Sequence, residues 1–414
     1  MAARLRILAA MAATVVSASS LEAAPHYAVR LRVDPNHEQI RSSVRIDLDA
    51  QESAAGRTFL LSRNYKVDKL SSSPNAIATI ADTDQPFPGL QRIDIKRRAG
   101  STGPSFVEVD YHGRLLQTDD QPINQITPRR LELSADSLWY PLPQNFNTRF
   151  TLDARVSGLA NQMIISSPDQ VRYRGTEVLL HRRVPSQDIA FSGAVGAKTV
   201  QRGDLTISAA DLSHPRTREF IRNAPRALAF LERWFGPIPS GKATIAIVDR
   251  ANGTGYSRPG YLVVADSSEP FPPGDAWGPI GYVAHELSHN WWSNADFTGE
   301  DYWLVESTAE YSALRFIESE RGATALAPLI ANKTARAAKA GPILGHGRPS
   351  SDAVYAKGPL LLIKLEHDIG RARLDRILAW AARRRLLTTA DFLSELSRAA
   401  GPQAAAAFEA ELRR

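Results

Sequence analysis

In "HELSHNWW" (residues 285–292) two histidines stand four positions apart, with a glutamate directly after the first. On a helix, positions i and i+4 lie on one face, so His285 and His289 present two imidazoles to one point. Neutral imidazole is a good zinc ligand, and this spacing on a helix is the one two-histidine zinc sites use. Glu286 lies one residue off that face. From there a carboxylate can reach a water on the metal without ligating the ion, which is where a general base must be. Downstream, "WLVESTAEY" places Glu306 and Glu310 on one face by the same spacing. Two histidines and one glutamate leave the fourth position of a tetrahedral zinc open to water. Glu306 is therefore the expected third ligand of one Zn2+ per chain. Glu310, one turn on, is the expected acceptor that fixes the tautomer of a ligand histidine. The plainer reading of both carboxylates is a solvated helix face.

These groups need helices to hold them, and the second half of the chain supplies the pattern. "PRTREFIRNAPRALAFLERWFG" has helical spacing and stops at Gly236-Pro237. "KATIAIVDR" and "GYLVVAD" read as strands, and after Pro279 almost everything is helical, including "PIGYVAHELSHNWW", "YWLVESTAEYSALRFIESERG" and "KGPLLLIKLEHDIG". The first half differs. In "YAVRLRV" the apolar Tyr27, Val29, Leu31 and Val33 alternate with Ala28, Arg30 and Arg32, and "VRIDL" and "RFTLDARV" alternate likewise. Period two means one buried and one wet face, as in an antiparallel sheet. Clusters such as "SSSPNA" and "STGPS" separate these runs as turns. The expected organisation is a leader over residues 1–24, a β-rich domain over 25–195 and a mostly helical catalytic domain over 196–414. No internal repeat is visible.

Length and composition agree with that division. The 414 residues suffice for two domains and sizeable cores. The basic start "MAARLR" and the short apolar run "ILAAMAATVV", followed by small residues, read as an export signal cleaved between Ala18 and Ala24. That run is too short to span a bilayer and no later one is longer, so no stable membrane anchor is expected. A periplasmic or secreted protein follows. It has no cysteine, so its cores hold the fold without disulfides. The net charge of +6, or +4 without Arg4 and Arg6 of the leader, is spread out. The tight basic run Arg383, Arg384 and Arg385 lies in an Ala- and Leu-rich helix and reads as a solvated face, not a nucleic-acid site.

"HELSHNWW" followed by "WLVESTAEY" resembles the gluzincin metallopeptidases of the aminopeptidase N family. That family's pattern has eighteen residues between the second histidine and a glutamate in W-L-N-E-G-x-A-E-Y. Here sixteen lie between His289 and Glu306. A two-residue deletion fits the loop "SNADFTGED" and spares both helices. Val305 and Ser307 stand where the family has Asn and Gly, which leaves the ligand untouched. "VYAKGPLLL" is similar to the family's Y-E-K-G, whose tyrosine stabilises the tetrahedral intermediate. The resemblance gives that role to Tyr355, which by composition alone is an ordinary half-buried tyrosine. A neutral phenol can donate to a developing oxyanion without losing its proton. "YAVRLRVDP" and "WYPLPQNFNTRFTLDARV" look like the family's opening β-domain, so the resemblance runs from about residue 27 to the end. It implies an antiparallel β saddle or sandwich followed by a thermolysin-like, mostly helical catalytic domain.

The chain departs from the family in two places. Where the family has G-x-M-E-N-P-G, with a Glu that holds the substrate's free ammonium, this chain has "TGYSRPG". Ser257 replaces the Glu and Arg258 the Asn. An ammonium buried without a counter-charge is costly, and an inward Arg258 repels it. Either another acid holds the amine, such as the outer oxygen of Glu306 or a carboxylate of the β-domain, or the substrate has no free amine there. Gly255, Tyr256, Ser257 and Arg258 still offer a backbone on which an extended peptide can add as a strand. Their plainer reading is a polar loop. Second, 56 residues follow Gly358, too few for the family's large C-terminal helical domain, so a short member with an open cleft, or one covered by another subunit, is implied.

Taken together, a zinc-dependent hydrolase of peptides is expected, with His285, His289 and Glu306 as ligands, Glu286 as base and Tyr355 as oxyanion donor. An aminopeptidase acting on short peptides comes first. A hydrolase of the same fold without free-amine specificity, cleaving internal bonds or modified peptides, comes second. A non-catalytic peptide-binding module is the third reading. The remaining histidines show no ligand spacing, although His346 in "GPILGHGRPS" precedes Tyr355 closely enough to line a cleft.

Overall fold

The computed structural model describes residues 24–86, 88–115, 123–249, 255–265 and 277–414. The leader read from the first residues lies outside them. No helix among the described residues is long and apolar enough to cross a membrane.

The first half is built from three sheets. A seven-stranded sheet has His26–Asp34 near its centre, and two four-stranded sheets accompany it. Along His26–Asp34 the alternation works as expected: Tyr27, Val29, Leu31 and Val33 are buried while Arg30 and Arg32 are exposed. The sheet is not wholly antiparallel, however. His26–Asp34 runs antiparallel to Gln39–Leu48 but parallel to Phe150–Ser157, with Tyr27 opposite Leu152. Period two reports which face a side chain takes, and it is blind to the direction of the neighbouring strand.

The second half opens on a five-stranded mixed sheet in the order Lys198–Arg202, Leu205–Ala209, Ala243–Val248, Tyr261–Ala265, Tyr256–Arg258. Its three central strands are mutually parallel, and the short Tyr256–Arg258 strand closes one edge antiparallel to Tyr261–Ala265. The four-stranded sheet containing Arg130–Leu133 and Phe191–Val195 lies against it. Ser192 and the Tyr261 hydroxyl are 2.7 Å apart across the contact, and Ala190, Ala246, Tyr256, Tyr261 and Val263 form a small shared core there.

Helices complete the second half. Pro215–Phe235 ends at Gly236, whose φ of 96° suits a residue without Cβ. Gly278–Ser288 and Trp303–Arg321 pack against each other and against the sheet's core. The start of Trp303–Arg321 is braced from the C-terminal helices. The buried Trp303 indole N–H donates to Thr389 Oγ1 at 2.8 Å, and Asp301 accepts from the Thr389 backbone at 2.7 Å. Losing a buried indole costs about 3–5 kcal/mol, so this brace ties the position of Glu306, three residues on, to the folding of the C-terminal helices.

Candidate metal centre and catalytic cleft

The helical expectation for "HELSHNWW" holds only to Ser288. The Gly278–Ser288 helix ends there, and His289 is its capping residue. His289 keeps right-handed helical angles (φ −62°, ψ −12°), so it still shares a face with His285. The end is made by side chains. Asn290 donates to the Leu287 carbonyl at 2.8 Å, and His289 Nδ1 lies 3.0 Å from the Trp292 carbonyl. Only a protonated Nδ1 can bond a carbonyl oxygen, so that contact leaves the Nε2 lone pair of His289 facing inward.

Two further side chains converge on that lone pair. His289 Nε2 is 3.2 Å from His285 Nε2 and 3.7 Å from Glu306 Oε2, while His285 Nε2 is 3.3 Å from the same oxygen. All three residues are buried. They are the group among the described residues whose donor atoms could share one ion. At zinc–ligand distances of about 2.0–2.1 Å, tetrahedral ligand atoms stand roughly 3.3 Å apart. The observed spacing matches that edge, and the donor set is the one zinc prefers. Electrostatics points the same way. Burial pulls the His285 pKa down, but Glu306, Glu310 and Glu286 outweigh it and push it up to about 9. Burial pushes Glu306 up, but His289, His285 and Tyr355 bring it down to about 2. A pocket that holds three glutamates around two imidazoles is built for positive charge.

The remaining expected residues surround this cluster. Glu286 is buried beside it, and burial raises its carboxyl above the ordinary carboxylate value, with His285 and His289 opposing. Glu310 Oε1 faces His285 Nδ1 at 3.9 Å, longer than a hydrogen bond, and its other oxygen accepts from Lys333 at 3.0 Å. Tyr355 lies in a five-residue π-helical segment, Ala353–Lys357, with its ring 6.0 Å from that of His285 and its hydroxyl 3.3 Å from that of Tyr302. Burial and the nearby Glu306 push both phenols above their ordinary pKa, so both stay neutral donors. A π-segment of this kind is a frequent mark of a functional site. His346 is exposed and belongs to no such cluster.

The edge strand differs most from expectation. Ser257 Oγ donates to the Glu286 backbone carbonyl at 3.0 Å, joining the strand to the Gly278–Ser288 helix. Arg258 does not project as a free cation. Its Nε donates to Asp188 at 2.7 Å and an NH2 group to Asp136 at 3.0 Å, both on the β-rich half. A partly buried guanidinium takes anions where it finds them. Gly255 sits so close to its surroundings that a Cβ would lie 1.9 Å from the Tyr282 hydroxyl and 2.5 Å from the Val263 carbonyl.

Sequence reasoning missed three residues at this cluster and a fourth that flanks the edge strand. Ser307, read as a harmless replacement, donates to the Val354 carbonyl at 2.7 Å and so holds the segment carrying Tyr355. Tyr302 adds a second hydroxyl. Lys333 is buried and donates to both Glu310 and the Tyr355 carbonyl, the latter at 2.8 Å. Glu132, wholly buried on Arg130–Leu133, comes near enough to Tyr256 for its charge to help raise that phenol's pKa, after burial itself. No local signal marks Glu132: in "RLEL" the alternation sets Leu131 and Leu133 inward and Glu132 on the other face, which is buried only because a second sheet covers it.

No protein-family model matches the chain and no curated protein matches it in sequence. Solved structures do match in fold. The M1 zinc metallopeptidase from Deinococcus radiodurans superposes with a TM-score of 0.72 at 18% identity, covering 94% of each chain. A mutant of that enzyme bound to a Tyr-Ser-Ala substrate gives 0.71 at 18% identity, again over 94% of each chain. Native leukotriene A4 hydrolase from Saccharomyces cerevisiae gives 0.69 at 15% identity, over 91% of this chain and 64% of that one. The architecture, a β-rich half of several sheets followed by a helical half, is that of the two-domain M1 zinc metallopeptidases.

Proposed function

We propose that the protein is a zinc-dependent peptidase, and that the convergence of His285, His289 and Glu306 at tetrahedral spacing carries that reading. These three residues would hold the ion. Bound there, zinc supplies a Lewis acid that polarises a carbonyl and lowers the pKa of water. The chain's own groups do the rest. Glu286, raised above the ordinary carboxylate value, takes a proton from the attacking water and delivers it to the leaving amine. Tyr355, kept neutral by burial, donates to the developing oxyanion. The Tyr256–Arg258 edge strand pairs with an extended peptide through its main chain. The peptide bound to the structural neighbour supports the same substrate class. The test is Glu286→Gln. Zinc should remain at one per chain while hydrolysis of a fluorogenic peptide falls by about 10²–10⁴-fold; wild-type turnover in that variant removes Glu286 from the mechanism.

Among peptidases we favour an aminopeptidase. With Arg258 neutralised by Asp188 and Asp136, the edge strand no longer opposes an ammonium. Glu132, buried on the β-rich half and near enough to Tyr256 to act on its phenol, is our candidate for the carboxylate that receives it. Glu132→Gln should raise KM about tenfold or more for peptides with a free amine, and leave N-blocked peptides unaffected. Equal effects on both classes would favour the reading without free-amine specificity. Export to the periplasm or medium belongs to the same proposal and rests on the leader-like start alone.

A further inference from the structure

Lys333 is the buried residue of the Leu326–Ala337 helix, only 6% exposed on an element whose other residues are partly or fully exposed. Lysine is almost never buried without partners. Here the ammonium has two, on different elements. One N–H reaches Glu310 Oε2 at 3.0 Å, and another reaches the Tyr355 backbone carbonyl at 2.8 Å. The ammonium also lies 5.2 Å from the centre of the Trp277 ring, a cation–π distance. Neither partner is arbitrary. Glu310 turns its free oxygen to His285 Nδ1 at 3.9 Å, a nitrogen that makes no hydrogen bond among the described residues. Tyr355 carries the hydroxyl that faces Glu306 and Tyr302.

Resting on the zinc-peptidase reading above, we propose that Lys333 is a positioning residue with two arms. One arm fixes the Glu310 carboxylate so that its other oxygen, 3.9 Å from His285 Nδ1, acts by its charge to keep that imidazole turned toward the metal. The second arm, with Ser307 holding the neighbouring Val354 carbonyl, fixes the π-segment that aims the Tyr355 hydroxyl. A single cation thereby sets ligand orientation and oxyanion donor together. Lysine suits the task because its three donors radiate from one point charge and can serve partners on separate elements.

The arms have separate readouts. Zinc affinity, measured by competition with a chromophoric chelator, reads the Glu310 arm; kcat at saturating zinc and unchanged KM reads the Tyr355 arm. Lys333→Met should weaken zinc by about ten- to a hundredfold, the usual effect of losing a group that orients a ligand, and lower kcat besides. Glu310→Gln should weaken zinc similarly. The double variant should bind zinc no more weakly than Glu310→Gln alone, because lysine acts through that carboxylate, yet turn over more slowly. If Lys333→Met alone does not fold, the double variant, which buries no lone charge, is compared with Glu310→Gln and decides the matter by the same two readouts. A further tenfold loss of zinc in the double variant, equal kcat in the two, or wild-type affinity and kcat in folded Lys333→Met overturns the proposal. Failure of the underlying reading is distinct: wild-type chain itself would neither take up zinc nor cleave peptides.

Discussion

Arg258→Met is expected to destabilise the chain by about 3 kcal/mol at pH 8, and the loss should shrink in acid. The Asp188 side chain is 3% exposed and that of Arg258 23%, so their 2.7 Å contact is poorly screened by water. Removing one partner of a buried pair costs about 3–5 kcal/mol, because the other charge is left without compensation. The lower end applies here. Asp188 Oδ1 keeps the Ala135 N–H at 2.8 Å and the Tyr140 O–H at 3.1 Å, and Arg258 is not fully enclosed. The sign of the pH effect follows from Asp188. Burial already raises its pKa above the ordinary value, and Arg258 is the main opposing influence. Without the guanidinium the folded-state pKa rises further. A carboxyl whose folded pKa exceeds its unfolded one contributes stability below the unfolded value and loses it as pH climbs through the folded value. The variant should therefore lie close to wild type near pH 4 and show its full deficit at pH 8. Urea unfolding at both pH values measures this, with Asp188→Asn/Arg258→Met as the control that removes the orphaned charge and recovers most of the loss. A deficit below about 0.5 kcal/mol at pH 8, or one independent of pH, would show that the pair is a surface contact and that the edge strand is not anchored through it.

Two further substitutions probe the cleft. Tyr355→Phe should lower kcat by about 10²–10³-fold while KM changes little, since an oxyanion donor acts in the transition state; a rise in KM with kcat intact would make the tyrosine a binding residue instead. Gly255→Ala would bring a Cβ to 2.5 Å from the Val263 carbonyl, an atom fixed in the sheet, so the strand itself must move. It should cost about 1–3 kcal/mol and raise KM for peptides, and wild-type values of both would mean that the strand does not guide substrate.

What was legible in the sequence is what depends on near neighbours. His285, His289, Glu306 and Glu310 announce themselves because i, i+4 spacing alone puts each pair on one face. The alternation in His26–Asp34 shows its buried side for the same local reason. Tyr355 came through a motif resemblance, since nothing within its own segment marks it. The groups that hold these in place could not be read, because their partners are remote. Lys333 sits in "IANKTARAAKA", where a lysine looks like any solvated cation, and its carboxylate partner is 23 residues away. Arg258 showed its charge but not the two aspartates 70 and 122 residues off that absorb it. Ser307 and Gly358 make the point sharpest. A Cβ on Gly358 would fall 1.9 Å from Ser307 Oγ, the hydroxyl that holds the Val354 carbonyl. The glycine three residues after Tyr355 is thus required by a serine on another helix. A substitution that looked neutral beside Glu306 instead helps to set the approach of Tyr355, so the two motifs form one packed unit whose halves cannot be varied independently.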